Sequence, residues 1–419
     1  MVAVGVEEIS PYSSQEMAAK HPDSMMALYP GRQLGMFKLG DSLYSVLNEL
    51  KYRPIISTSS VTVHGESNDC NSSITAPIIV RLNPSTIDLH FEGTTQRLST
   101  MTMSLPSISF DLTYENDIIV PRNDVLSRTT AGQLFGPCRS ENLDSWPGML
   151  WTFNNGQSTS VTISSTPTPT LEGQISRVYV IPHDSVLFNF TNDSPEIEIK
   201  LGVSHSTDVV SAFGPPESTF EKRDRRLEVY AGSDASDLAR GVFYNYPALG
   251  FDVMLNTVTH KVEKLILHSN VPATPLFQAY NRCPWQINLT KELSQPMGTG
   301  SSQETNGSTN SQQSNGSNNK QTKRNKHNKV SNGEKVDVKV GEVQETSITF
   351  VDKIDSIIAK LSKNVQIDKM VLDRAHEVGL KEWNEDMGMM ELVSFDVLGV
   401  IMEVTKSGDV ASLCIHDRK

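Results

Sequence analysis

Cysteine is scarce in this chain. Four residues among 419 stand at positions 70, 138, 283 and 414, and no two have C-x-x-C spacing. That excludes the common cysteine-built zinc and redox motifs and points to reduced thiols. Positive charge is also short: 37 Lys and Arg against 49 Asp and Glu, a net charge of -12. A surface that neutralises phosphates needs the opposite balance, so nucleic acid is not an expected partner. No apolar run reaches the roughly 18–20 residues that cross a bilayer. Met1–Ser10 has no basic stretch leading into an apolar core, so no signal peptide is expected. The chain reads as cytoplasmic, and triplets such as Asn189-Phe190-Thr191 read as chance matches to a glycosylation pattern.

Catalytic motifs are missing too. There is no phosphate-binding G-x-x-x-x-G-K, no dinucleotide G-x-G-x-x-G, no H-E-x-x-H, no EF-hand loop and no G-x-S-x-G elbow. Gly202-Val203-Ser204-His205-Ser206 lacks the closing glycine of that elbow and reads as a helix entry, with Ser204 or Ser206 capping. His260 falls in a hairpin turn. Asp373-Arg374-x-His376-Glu377 reads as a solvated helix face. No catalytic, cofactor or metal residues are assigned, no small-molecule substrate is expected, and the chain is read as a non-enzyme. A hydrolase assembled from scattered Asp, His and Ser would need those residues to converge in one pocket.

What is present is repetition. One strand pattern starts at a glycine and then has apolar residues at every second position: Gly148-Met149-x-Trp151-x-Phe153, Gly250-Phe251-x-Val253-x-Leu255 and Gly399-Val400-x-Met402-x-Val404. An earlier copy has Thr86, then Ile87, Leu89 and Phe91. A second strand follows each with wider spacing: Leu98-x-x-Met101-x-Met103, Ile175-x-x-Val178-x-Val180, Val262-x-x-Leu265-x-Leu267 and Val410-x-x-Leu413-x-Ile415. A period of two puts alternate side chains on one sheet face. Extra strands are expected at Ile78–Leu82 and Phe243–Tyr246.

Helix signals precede these pairs. Asp41 or Ser42 offers a cap before Leu43, Val46, Leu47 and Leu50. Asn123-Asp124 precedes a helix from Val125 to Leu134, and Ser206 a shorter one through Val209 and Val210. Phe350–Leu361 carries an apolar helical face. The expected fold class is therefore α+β: about four small helix-plus-antiparallel-sheet modules packed together. The expected boundaries are a mobile arm at 1–32, modules at 33–118, 119–200, 201–293 and 347–419, and a disordered insert at 294–346, whose Ser, Asn, Gln and Gly content cannot bury a core. Lys320, Lys323, Arg324, Lys326 and Lys329 in that insert form a candidate contact for anionic lipid, beside the simpler reading of a solvated linker. Trp151 alternates with Met149 and Phe153 and reads as core. Trp285 follows Cys283-Pro284 and is a candidate surface anchor for a partner.

Phe243-Tyr244-Asn245-Tyr246-x-x-Leu249-Gly250-Phe251-Asp252-Val253, then Thr259-His260-Lys261-Val262 running to His268-Ser269-Asn270, then Tyr280-x-Arg282-Cys283, resemble the phagosome assembly factor 1 family of eukaryotes. Phe37-x-Leu39-Gly40-x-Ser42-Leu43 and Gly399-Val400-x-Met402-Glu403-Val404 resemble its opening and closing motifs. The long insert and the lack of a Leu-Gly-x-Pro stop after the last helix depart from the family pattern. The resemblance implies a non-enzymatic autophagy adaptor, recruited to the phagophore assembly site. It implies a WD-repeat β-propeller partner, near phosphoinositide-binding propellers. The rival reading is a membrane-trafficking factor that puts its basic insert on anionic membranes.

Overall fold

A computed structural model describes residues 25–52, 57–63, 74–83, 87–137, 144–168, 171–192, 194–223, 240–272, 274–289, 346–361, 365–373 and 389–416. Strands dominate: twenty-five against four α-helices among the described residues. The fold is sheet-rich, where the sequence reading expected a more even α+β balance. The helices are short because each apolar stretch is only about two turns long before the chain must return to a sheet.

Two cores divide the molecule. The first lies between a five-stranded sheet and a seven-stranded sheet. In spatial order the five strands are Phe37–Lys38, Gln33–Leu34, Met25–Tyr29, Asp111–Tyr114 and Asp117–Val120. The seven are Ser145–Trp146, Met149–Asn154, Gln157–Ser164, Leu98–Ser104, Ile87–Phe91, Ile78–Asn83 and Ser57–Val63. The second core repeats the plan. Its five strands are Ile197–Lys200, Ser185–Phe190, Ile175–Ile181, Trp285–Asn288 and Ser347–Thr349. Its eight are Ser218–Arg223, Arg240–Tyr246, Phe251–Asn256, Val262–His268, Val410–His416, Val400–Val404, Met389–Phe395 and Asp368–Asp373. Each five-stranded sheet contains one parallel pair, Met25–Tyr29 with Asp111–Tyr114 and Ile175–Ile181 with Trp285–Asn288.

The wide spacing in the second strands has a physical cause. Phe91 pairs with Leu98 and Leu89 with Met101, so the ladder slips by one residue between His90 and Phe91. The same bulge falls at Thr152/Phe153, Met254/Leu255 and Glu403/Val404. An extra residue on one strand keeps apolar side chains on one face across the slip. The expected strands at Ile78–Leu82 and Phe243–Tyr246 lie inside the observed ones. They pair with the signature strands, Ile79 opposite His90 and Phe243 opposite Met254.

The helices are α1 (Leu43–Lys51), α2 (Arg128–Phe135), α3 (Ser206–Phe213) and α4 (Ile354–Lys360). The residue before each of them, Ser42, Ser127, His205 and Lys353, forms an isolated antiparallel bridge to Arg97, Gln157, Lys261 and Asp409. Helix entry is thus tied to the start of a hairpin strand four times. Ser42 caps α1 as expected, accepting from the Ser45 N–H. Ser127, not Asn123 or Asp124, caps α2. His205, not a serine, precedes α3, and its N–H donates to the Asp208 carboxylate at 2.8 Å.

Three other expectations change. Met25–Tyr29 is a strand with Met26 and Leu28 buried, although the sequence reading placed it in a polar arm. The second strand of the second copy is Gln157–Ser164; Ile175–Ile181 belongs to the five-stranded sheet. Asp373 ends a strand rather than opening a helix, and residues 374–388 lie outside the described residues. Trp151 is core, at 1% exposure. Burying such side chains contributes about 1.5–3 kcal/mol each.

Candidate functional site

The inner face of the eight-stranded sheet carries the apolar members of the signatures. The alternate residues point the other way and line a cleft of about 310 Å³. Register places them in rows. Asn245, Asp252, Ile266, Cys414 and Ile401 are successive cross-strand partners, and His268, Ser412, Glu403 and Leu392 form the next row. Phe220 and Phe243 pair at one side of the cleft, with ring centroids 6.5 Å apart. The connection after His268 folds over the other side and contributes Leu276 and Tyr280.

Asp252 is the electrostatic centre of this face. Its side chain is 7% exposed, as is that of His268. Three groups donate to its carboxylate: Asn245 Nδ2 at 2.9 Å, His268 Nε2 at 2.9 Å, and the Tyr280 hydroxyl at 3.0 and 3.1 Å. The His268 and Tyr280 rings stack with centroids 3.8 Å apart. Burial, and after it the neighbouring Asp252 charge, pushes the Tyr280 hydroxyl far above its ordinary pKa, which keeps it a donor. Across the sheet, Ser412 Oγ donates to Glu403 Oε2 at 2.9 Å, both residues nearly buried. Cys414 lies in the same row as Asp252, and burial pushes its thiol up; such a thiol is a poor nucleophile.

Beside the cleft, Arg282 joins the two halves of the molecule. Its Nε donates to Ser269 O at 2.8 Å and its Nη2 to Asn270 O at 3.2 Å. Its Nη1 reaches the carbonyls of Ile74, Gly93 and Thr94 in the other half. Burial lowers its pKa to about 9. The five carbonyl oxygens satisfy the cation, which stays charged at neutral pH. Gln96 and Asn270 reinforce the joint reciprocally: Gln96 Nε2 donates to Asn270 O at 2.9 Å and Asn270 Nδ2 to Gln96 Oε1 at 2.7 Å.

Trp285, the surface candidate, is fully buried. Its ring sits in the second core and its Nε1 donates to Ser269 Oγ at 3.0 Å. The proline before it does not end structure here; it precedes a strand that pairs in parallel with Ile175–Ile181. Lys320, Lys323, Arg324, Lys326 and Lys329 lie outside the described residues. No helix is long and apolar enough to cross a membrane, and no group of three or more metal-ligating side chains occurs, among the described residues.

The sequence reading did not single out Asp252, His268, Glu403 or Ser412 as a site. A usable signal was present: Asp252 and Glu403 occupy the alternate positions of signature strands, where an outward acidic group faces whatever covers the sheet. His268, Tyr280 and Arg282 are among the residues that carry the family resemblance. The structure gathers them outside the core, around the cleft and the joint.

A sequence model of a family described as Phagosome assembly factor 1 matches residues 185–416. A PHAF1 protein of Drosophila melanogaster is 33% identical over 85 residues, 20% of this chain and 19% of that protein. One of Caenorhabditis elegans is 34% identical over 94 residues, 22% of each chain. One of Arabidopsis thaliana is 28% identical over 97 residues, 22% of this chain and 24% of that protein. The aligned part thus spans about a fifth of each curated relative's length. No solved structure matches.

Proposed function

This chain belongs to the phagosome assembly factor 1 family, and on that premise we propose that it is a non-enzymatic adaptor of the autophagy machinery. It binds a WD-repeat β-propeller protein and is recruited from the cytoplasm to the phagophore assembly site. Its scaffold is four copies of one helix–hairpin unit, joined edge to edge within the long sheets. The contact face is the outer face of the eight-stranded sheet. The observation that carries this reading is the state of the polar groups in the cleft. They are engaged with one another, and apolar side chains remain open around them: Phe220 and Met370 are each 62% exposed on the two edge strands of that sheet. Exposed apolar groups around satisfied polar ones suit recognition of a partner surface. Affinity purification from starved cells tests it: recovery of a WD-repeat propeller protein is expected, and recovery of none contradicts it.

A second reading has one observation in its favour. Asp252, His268 and Ser412 do converge in one cleft, as a hydrolase requires. Against it, the Ser412 hydroxyl gives its proton to Glu403 rather than to His268, so the serine is not paired with the base. Labelling of Ser412 by a fluorophosphonate would favour the hydrolase. The lipid alternative rests on the basic insert, and flotation with anionic liposomes that survives deletion of residues 294–346 dismisses the basic cluster as the contact.

A further inference from the structure

A second pocket, of about 280 Å³, lies where the two halves meet and shares no lining residue with the cleft. The turn at 92–97 forms one wall. Ile175, Arg282, Pro284 and Phe350, from the second half, form the other. Two guanidinium groups and one carboxylate, that of exposed Glu92, give the lining a net positive charge. Asp41 and Asp409 act on Arg97 and Arg282 from outside it. Arg282 spends its donors on backbone carbonyls and adds charge rather than a new bond. Arg97 differs. Its Nη1 donates to Gly40 O at 3.2 Å, and its Nε and Nη2 have no hydrogen-bond partner among the described residues. Elsewhere in this chain the same edge of a guanidinium grips a carboxylate: Arg81 Nε and Nη2 reach Asp88 Oδ1 and Oδ2 at 2.7 and 2.6 Å. Burial lowers the Arg97 pKa, since the cation is partly withdrawn from water, and arginine stays charged. Three hydroxyls of the lining are committed: Thr95 to Glu92, Ser176 to Asn189 O and Thr191 to Leu171 O. Those of Thr94 and Thr168 make no hydrogen bond among the described residues.

We propose that this pocket binds a small organic carboxylate, gripped by the open edge of Arg97. Two parallel N–H···O bonds from Nε and Nη2 match the two oxygens of a carboxylate. Thr94 and Thr168 supply further hydroxyl donors beside it. The charge of the lining also favours a carboxylate. A phosphate carries nearly two negative charges, and Glu92 would stand against the second. The rest of the wall is apolar: Ile175, Pro284 and the Phe350 ring, whose centroid lies 5.9 Å from the Arg282 guanidinium. A few precisely placed polar groups on an apolar wall suit a small ligand with one anionic end. The site goes beyond the adaptor reading and lies apart from the sheet face assigned to the propeller partner.

The test is calorimetric titration of the full chain with 3-phenylpropanoate at neutral pH. Saturable binding is expected, half-complete at roughly millimolar concentration. The neutral isostere 3-phenylpropanamide should bind at least about tenfold more weakly. Arg97→Gln should weaken the acid by a similar factor, while Arg81→Gln, at the exposed pair with Asp88, should leave its affinity unchanged. If Arg97→Gln does not fold, the acid-to-amide ratio on the natural chain gives the same reading. No saturable binding of the acid, equal binding of acid and amide, or undiminished binding by a folded Arg97→Gln overturns the site. Phenyl phosphate binding more tightly than the acid overturns the choice of carboxylate. The dipeptide Ac-Gly-Phe, with its free C-terminal carboxylate, binding more tightly than the acid overturns the free acid as the source in favour of a peptide terminus.

Discussion

Asp88 and Asp252 hold the same position in the two long sheets, and their surroundings differ completely. Each lies between the first two apolar residues of a signature strand. Each faces outward, opposite Thr102 in one case and Ile266 in the other. Asp88 meets its cross-strand neighbour Arg81 at 2.6 Å, with the two side chains 20% and 53% exposed. Asp252 meets Asn245, the cross-strand counterpart of Arg81, and then His268 and Tyr280 as well. The cause is the connection that leaves the last strand of each hairpin. In the first half, Leu105–Phe110 leads directly into the five-stranded sheet; in the second, the longer stretch Ser269–Pro284 crosses the outer face first. That longer connection brings Tyr280 over Asp252 and Arg282 into the joint between halves. The same sheet position becomes a solvated ion pair or a buried site according to the length of one connection.

The comparison can be broken most severely at Arg282. Arg282→Met takes the guanidinium from the carbonyls of Ile74, Gly93, Thr94 and Ser269, while Asn270 O keeps Gln96 Nε2, and a loss of about 3–5 kcal/mol is expected in urea unfolding, enough to endanger folding. Asp252→Ala should cost about 2–4 kcal/mol, because it leaves buried His268 and part-buried Asn245 and Tyr280 without their shared acceptor. Asp88→Ala should cost less than about 1 kcal/mol, since exposed pairs are worth little; equal costs would remove the contrast. Gly250→Ala should cost about 1–3 kcal/mol. Gly250 has φ +83°, and an added Cβ would lie 2.5 Å from the Asn281 carbonyl of the covering connection. The smallest effect is one of pH. The Arg81 hydrogen bond holds the Asp88 carboxyl below its ordinary range. A carboxylate depressed on folding adds stability above its unfolded pKa, near 3.9, and loses it as pH falls through the folded value. The stability difference between the natural chain and Asp88→Asn should therefore shrink as pH falls below about 4, measured by thermal unfolding across that range.

Much of the sheet was legible in the sequence, because a period of two and the bulge spacing are local signals. They fail where two segments carry the same signal. Ile175-x-x-Val178 has the bulge spacing and does contain a register shift, but against Ser185–Phe190. The true partner strand has Ser158 where its counterparts have Leu98, Val262 and Val410. Ser158 is buried because its hydroxyl accepts from the Leu126 N–H at 2.8 Å, a tertiary contact no local pattern reveals. Trp285 was misplaced for a related reason: its strand pairs in parallel with one far away in sequence, and parallel partners leave no hairpin turn to read. Part of the cleft was hidden in the same way, since Ser412 and Glu403 join Asp252, His268 and Tyr280 only when the last strand, Val410–His416, pairs with Val262–His268.

The central claim is that the second long sheet, not the first, presents the partner-binding face. It is tested most directly by purifying three forms from starved cells under identical conditions: the natural chain, Phe220→Glu and Thr100→Glu. Phe220 is exposed on the outer face of the eight-stranded sheet, and Thr100 lies on the corresponding face of the seven-stranded sheet. The account predicts that the WD-repeat propeller protein comes with the natural chain and with Thr100→Glu, and is lost with Phe220→Glu. Recovery with Phe220→Glu and loss with Thr100→Glu would contradict it.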